Sequence, residues 1–131
     1  MKKLILLIAA CLLLITCNTV ANSKGTEQLP LVNTNWTLND NNMVQKPTLV
    51  FESNRVSGNA GCNNYFGDFI STSAGKFSVS NIGSTKKACP ELSAETTYLN
   101  ILQKANNYVA TSTSLELYQD KLLLLKFTKM P

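Results

Sequence analysis

Residues 61–67 read Gly-Cys-Asn-Asn-Tyr-Phe-Gly, and a second cysteine follows within residues 88–91, which read Ala-Cys-Pro-Glu. Cys62 and Cys89 stand 27 positions apart, in a part of the chain that the N-terminus marks for export. In an oxidising compartment, two thiols of a small domain are more typical of a structural disulfide than of a reactive site. We therefore predict a Cys62–Cys89 disulfide, with two free buried thiols or a reactive thiol pair as the alternatives.

The first 16 residues have the pattern of a secretory signal peptide. Lys2 and Lys3 precede an unbroken apolar run from Leu4 to Ile15. This run of 12 residues is shorter than the roughly 20 residues that span a bilayer. The pattern predicts export and argues against a retained transmembrane helix.

The signal ends in Leu14-Ile15-Thr16-Cys17, which resembles a bacterial lipobox, although Thr16 stands where Gly, Ala or Ser is usual. From this resemblance we predict that Cys17 is acylated and becomes the mature N-terminus. Two or more acyl chains would then hold the protein stably on a membrane. Two other cleavage sites are possible. Cys11 follows a similar motif, and cleavage after Ala21 would release a soluble periplasmic or secreted protein.

Length and charge indicate one small globular domain. Asn18 to Leu29 is polar and without apolar period, so residues 17–29 are predicted to be a lipidated N-terminus and flexible tether, and residues 30–131 a single domain. The net charge of the whole chain is +4, and two of the lysines that contribute to it lie in the signal peptide. The remaining charge is too weak and too scattered to indicate nucleic-acid binding. We expect a monomer.

The periodicity of the domain predicts an α+β fold. Tyr98, Leu99, Leu102 and Ala105 follow helical spacing, which predicts a helix over about 91–105, with Ser93 as its N-cap or Pro90 in its first turn. Short alternating segments elsewhere predict antiparallel strands. The last of them is apolar on both faces and is expected to be central or covered by the helix. The predicted strands are 36–38, 48–52, 55–58, 65–71, 76–80, 82–86, 108–111, 114–118 and 121–128.

The chain resembles the META domain of HslJ-type bacterial lipoproteins from about Leu31 to Phe127. The matching motifs, in order, are Trp36-Thr37-Leu38, Leu49-Val50-Phe51, Val56-Ser57-Gly58, residues 61–67, Ile82-Gly83-Ser84-Thr85, Ala88-Cys89-Pro90-Glu91, Tyr98-Leu99-Asn100-Ile101-Leu102, Leu115-Glu116-Leu117 and Leu125-Lys126-Phe127. The resemblance implies an antiparallel, partly open barrel with a helix packed on it. It also implies an envelope protein, linked in some bacteria to heat shock or drug tolerance and similar in shape to pilotin-type lipoproteins. It carries no settled biochemical activity.

The residues predict no catalytic, metal or cofactor site. The chain has no His to activate a thiol, no CxxC pair, and only two thiols in the domain where structural zinc normally takes four ligands. Glu91 and Glu95, one helical turn apart, are interpreted as a surface pair that favours the helix start. The motif residues are interpreted as structural, with Gly and Asn supporting turns and bulges; they are Gly58, Gly61, Asn63, Asn64, Tyr65, Gly67 and Thr85.

Three hypotheses for function follow. The first is a non-enzymatic, lipid-anchored envelope domain on the periplasmic side of the outer membrane that binds an envelope protein or supports stress tolerance. The second is a carrier or pilot-type module that holds an acyl chain or a partner's peptide in a cleft between sheet and helix. The third is a thiol-based enzyme. An exposed aromatic residue of the Tyr65-Phe66 pair could line such a cleft, because neighbours on a strand face opposite sides.

Overall fold

A computed structural model of the chain describes residues 27–131, which form eight strands and one helix. The elements are β1 (Thr34–Leu38), β2 (Thr48–Glu52), β3 (Arg55–Asn59), β4 (Asn64–Ser71), β5 (Phe77–Ser84), α1 (Leu92–Lys104), β6 (Asn107–Ala110), β7 (Ser114–Gln119) and β8 (Leu122–Lys129). The predicted α+β class is confirmed. Within the described residues no helix is both long and apolar enough to cross a membrane.

All eight strands belong to one antiparallel sheet in the order β5-β4-β3-β2-β1-β8-β7-β6. Strands β1 to β5 form one meander and β6 to β8 a second, and β8 pairs with β1 to join them. The sheet is not closed, and β5 and β6 are its edges. At one end the edges meet, because Lys76 pairs with Asn107 and the Phe77 N–H donates to the Asn106 carbonyl. Helix α1 connects these two edge strands.

The core fills the inner face of the sheet with large apolar side chains. The ring of Phe51 lies 4.6 Å from that of Phe69 and 6.1 Å from that of Phe77. The alternation along each strand places these residues on one face and polar residues on the other. The largest fully buried apolar side chains are Trp36, Tyr65, Phe51, Phe127, Leu31, Leu49, Leu102, Leu115, Leu117 and Val56.

The final strand is central as predicted, since β8 lies between β1 and β7. Its two faces are nevertheless not both covered. Leu122 and Leu123 are 64% and 46% exposed, whereas Leu125 and Phe127 are buried. A register shift at Leu117/Tyr118 separates the two halves of the strand. The apolar side chains of β8 are therefore exposed at the start of the strand and buried at Leu125 and Phe127.

The helix begins and ends within one residue of its predicted limits. The two predictions for its first residues are wrong, because Glu91 and not Ser93 is the N-cap, and Pro90 precedes the first turn. Tyr98 and Leu102 are buried on the helix face that meets the sheet. Lys104 in the last turn is favourably placed for the helix dipole.

The segments 76–80 and 82–86, predicted as two strands, form the single strand β5. Asn81 has a φ of 53°, and Asn81 and Ile82 together oppose Gly67 of β4. Such a bulge bends the strand and raises its twist. A Cβ at Gly67 would lie 2.8 Å from the Ser80 carbonyl oxygen, so glycine lets the two strands approach at the bulge.

Residues 28 and 29, which lie before the predicted domain, make hydrogen bonds to it. The Gln28 N–H donates to the Ser73 carbonyl, and the Tyr108 hydroxyl donates to the Leu29 carbonyl. Gln28 and Leu29, placed in the tether by sequence, thus contact the hairpin between β4 and β5 and strand β6. The predicted signal peptide, Cys11, Cys17 and Ala21 lie outside the described residues.

Candidate functional site

A disulfide joins the β3–β4 connection to the segment before α1. The sulfurs of Cys62 and Cys89 are bonded, and their Cα atoms are 6.1 Å apart, within the usual 4.4–6.8 Å range. The predicted disulfide is therefore confirmed. It holds the connection 85–91 against the end of the sheet.

Asn63 is the buried centre of a hydrogen-bond cluster next to this disulfide. Its side-chain carbonyl accepts from the Thr85 hydroxyl at 2.8 Å and from the Lys87 N–H at 2.7 Å. Its amide group donates to the Lys87 carbonyl and to Glu95 Oε1, both at 3.2 Å. We call Asn63, Thr85, Lys87 and Glu95 the Asn63 clamp. Because it is fully paired, it fixes the connection 85–91 as a rigid segment.

Glu95 is buried, contrary to the surface pair predicted for Glu91 and Glu95. It is 4% exposed, and its Oε2 accepts the Asn63 backbone N–H at 2.7 Å. Glu91 is exposed at the helix start. Glu95 lies on the same helical face as Tyr98 and Leu102, three and seven positions on, and this spacing was the available signal for its burial.

The other motif residues are structural in different ways. Gly61 has a φ of +108°, which other residues rarely adopt, and Asn64 is exposed and accepts from the Asn59 amide. At Gly58 the backbone of a neighbouring strand leaves no room for a side chain, because a Cβ there would lie 2.1 Å from the Thr48 carbonyl oxygen. The turn interpretation thus fits Gly61. Asn63 is instead the buried centre of a hydrogen-bond cluster, and Gly58 allows two strands to approach closely.

Tyr65 and Tyr98 form a buried pair between sheet and helix. The Tyr65 hydroxyl donates to the Thr48 carbonyl at 2.8 Å, so Tyr98 supplies the proton between the two hydroxyls, which are 3.0 Å apart. Burial raises the pKa of Tyr65 well above its ordinary value, and the coulombic effect of Tyr98 adds to this. Burial likewise raises the pKa of Tyr98. The fold therefore favours the neutral form of both rings.

This pair predicts a loss of stability at alkaline pH. The unfolded tyrosines lose their protons at about pH 10, whereas the folded pair holds them to higher pH, so the free energy of unfolding falls as pH rises above about 10. Tyr98→Phe should make this fall shallower in denaturant titrations at several pH values. Tyr118→Phe is the matched control, because the pKa of Tyr118 is raised mainly by its hydrogen bond to Glu116 at the surface. Equal slopes for Tyr98→Phe and the unsubstituted protein would contradict the prediction.

Two depressions flank α1. The polar groove lies between α1 and the second half of β5, has a volume of about 470 Å³, and is lined by residues that include Ser84, Lys86, Lys87, Glu95, Leu99 and Asn100. The apolar cleft lies between α1, β1 and β8, has a volume of about 360 Å³, and is lined by residues that include Leu38, Met43, Tyr98, Ile101 and Leu125.

Phe66 lines neither depression. It is half-exposed on the outer face of β4, where its ring covers Gly83 and the Arg55 guanidinium lies 5.8 Å from the ring centroid. The expectation that one of the Tyr65-Phe66 pair is exposed is confirmed, but the suggested role in a cleft is wrong. Among residues 27–131, no group of three or more acidic or cysteine side chains could hold a metal ion.

These features define a class of protein: a small α+β domain with one antiparallel sheet, a helix linking its edge strands, and a disulfide beside that helix. The chain belongs to the META domain family, whose family model matches residues 29–130. No curated protein matches the chain.

Two solved structures share the fold. One is the NMR structure of a protein from Burkholderia xenovorans, with 24% identity and a TM-score of 0.65; the match covers 76% of this chain and 83% of that one. A second NMR structure has 20% identity and a TM-score of 0.58, with 75% of this chain and 90% of that one covered. At these sequence identities, the similarity of the two structures to this chain shows a shared fold and nothing about function.

Proposed function

We propose that the protein is a non-enzymatic binding module of the bacterial cell envelope that holds an acyl chain in the apolar cleft. The cleft is the observation that carries this proposal. In this proposal Cys17 is acylated, and the anchor keeps the domain on the periplasmic side of the outer membrane. A role in stress or drug tolerance would then follow from binding an envelope component.

The lining of the cleft suits an alkyl chain. Leu38, Ile101 and Leu125 supply apolar contacts from three different elements, and the polar rim includes Asp40. Burying an alkyl chain contributes about 0.8 kcal/mol per CH₂ group. Because Asp40 would repel a free carboxylate, an acyl chain in amide or ester linkage fits better than a free fatty acid.

The chemistry of the thiols supports binding rather than catalysis. Both cysteines of the described domain are joined in the disulfide, and the chain has no His to serve as a general base. The META domain is not a known enzyme family. The inside of the sheet is packed with aromatic and aliphatic side chains, so the cleft beside the helix, rather than the interior of the sheet, offers room for an apolar ligand.

We further propose that the sheet curls into a partly open barrel. The backbone contacts between the first residues of β5 and β6 support this shape, because they bring the two edges together at one end. The opposite ends of the edges are then separated by α1. This arrangement would place the helix as the wall of both depressions.

A fluorescent alkyl amide tests acyl binding. Ile101→Trp is expected to fill the cleft and weaken binding by at least about tenfold, the equivalent of losing roughly two buried CH₂ groups. Leu99→Trp is the matched control, since Leu99 lies on the same helix but lines the polar groove. Failure of the unsubstituted domain to bind the probe, or equal binding by Ile101→Trp, would contradict the proposal.

A further inference from the structure

Strand β5 and helix α1 run side by side in opposite directions and form the two walls of the polar groove. At one end, Glu95 in the first turn of α1 bonds Asn63, which also holds Thr85 just after β5. At the other end, the Asn106 carbonyl just after α1 accepts from Phe77 N–H, at the start of β5. The groove therefore follows the edge of the sheet over the second half of β5.

The backbone of β5 presents hydrogen-bonding groups to this groove. Thr85 N–H donates to the Asn64 carbonyl, and the next pair along the ladder is Tyr65 with Ser84. Bonded and non-bonded pairs alternate between antiparallel strands, so the N–H and C=O of Ser84 point away from β4. Ile82, two residues earlier, has the same orientation, and both residues line the groove. An edge of this kind is a template for another strand.

The helix supplies the opposite wall, and the connection 85–91 supplies the charge. Leu99 and Ile82 provide apolar surface, while Asn100 and Gln103 are polar. Lys86 and Lys87 stand at the end nearest the start of α1. The carboxylate of Glu95, the acid that lines the groove, is bonded through both oxygens to Asn63. Two lysines against this one carboxylate leave this end of the groove with a net positive charge.

The groove is also preorganised. The disulfide fixes Cys89, and the Asn63 clamp holds Lys87 through both its N–H and its C=O. A segment held in this way loses little conformational freedom when a ligand binds, which favours affinity.

We propose that the polar groove binds an extended, acidic peptide segment of a partner protein, which pairs with the edge of β5 and places a carboxylate beside Lys86 and Lys87. Main-chain hydrogen bonds would supply affinity, and alternate side chains would contact Ile82 and Leu99. This site is separate from the apolar cleft, and the proposal does not require that an acyl chain binds there.

The probe is an array of short synthetic peptides with alternating Val and Thr. One set ends in two Glu residues, and a matched set ends in two Gln residues, with the C-terminus amidated in both sets. Titration of the labelled domain by NMR is expected to shift the amide signals of Ile82 and Ser84. The Glu set should bind about five- to tenfold more tightly, as expected for two exposed charge pairs. Absence of binding by every peptide, or equal binding by the two sets, would overturn the proposal.

Backbone methylation of the peptide tests strand addition on the unsubstituted protein. In a strand that pairs with β5, every second peptide N–H faces β5. Methylating these nitrogens should abolish binding, whereas methylating the intervening nitrogens should have little effect. An effect without this two-residue period would overturn the proposal. Leu99→Trp should block the peptide and leave alkyl amide binding intact, and Ile101→Trp should do the reverse, so the two proposals fail separately.

Discussion

Replacing Asn63 by alanine is expected to lower the free energy of unfolding by about 3 kcal/mol or more. The substitution removes the acceptor of Thr85 and Lys87 and the donor to Glu95 in one step. Losing the hydrogen bond to the buried Glu95 carboxylate costs about 1.5–3 kcal/mol, and losing each of the bonds to the exposed Thr85 and Lys87 about 0.5–1.5 kcal/mol. Because small domains have only about 5–15 kcal/mol of stability, a large fraction of the protein would be unfolded by mild denaturant.

The neighbouring residue gives the control. Asn64 is exposed, and its side-chain oxygen accepts from the exposed amide of Asn59. Asn64→Ala is therefore expected to change the free energy of unfolding by no more than about 0.5 kcal/mol. Both variants would be compared by chemical denaturation followed by circular dichroism. Similar midpoints for the two variants would show that the clamp contributes little.

Reduction of the Cys62–Cys89 disulfide is expected to lower the free energy of unfolding by about 3.5 kcal/mol, from the loop-closure entropy of a separation of 27 residues. The reason is that the reduced unfolded chain is freer than the cross-linked one. Reduction also releases the connection 85–91, which carries Lys86 and Lys87, so peptide binding in the polar groove should weaken.

The measurement is denaturant unfolding of the protein with and without a reducing agent. A Cys62→Ala, Cys89→Ala double variant is the control, because it should unfold near the reduced protein and respond to reductant no further. An unchanged midpoint on reduction of the unsubstituted protein would contradict the expected stabilisation.

The sequence was most informative where contacts are local. Alternation at Phe77 and Val79 indicated a strand with one buried face, and the spacing of Tyr98 and Leu102 indicated the helix. Both are buried as the spacing requires. The disulfide could also be predicted, because the inferred compartment left few alternatives for two cysteines.

Helical spacing places Glu95 on the buried face with Tyr98 and Leu102, but the partners of Glu95 in the clamp could not be found in this way, because they are far apart in the chain. Asn63 and Glu95 are separated by 32 positions, and a carboxylate is assigned to the surface by default. Burial of Glu95 depends on an N–H and an amide that no local pattern places beside it. A cleft between sheet and helix was one of the hypotheses, but the residues that line the polar groove and the apolar cleft could not be predicted, since both depend on where α1 lies against the sheet.

Glycine and asparagine showed a similar limit. Their presence near Cys62 indicated unusual backbone, but did not distinguish the positive φ of Gly61 from the close approach at Gly58. The bulge at Asn81 was missed because asparagine within a strand reads as a break, and the segment was divided there. The positive φ of Asn81 instead lets β5 continue.

The most direct test of a disulfide-bonded domain held at the envelope by lipid is the intact mass of the protein purified from bacterial membranes. We predict a chain that begins at Cys17, carries acyl groups on that residue, and is two hydrogens lighter than its dithiol form. A chain that begins at Asn22 without acyl groups, or one whose Cys62 and Cys89 are free thiols, would contradict this prediction.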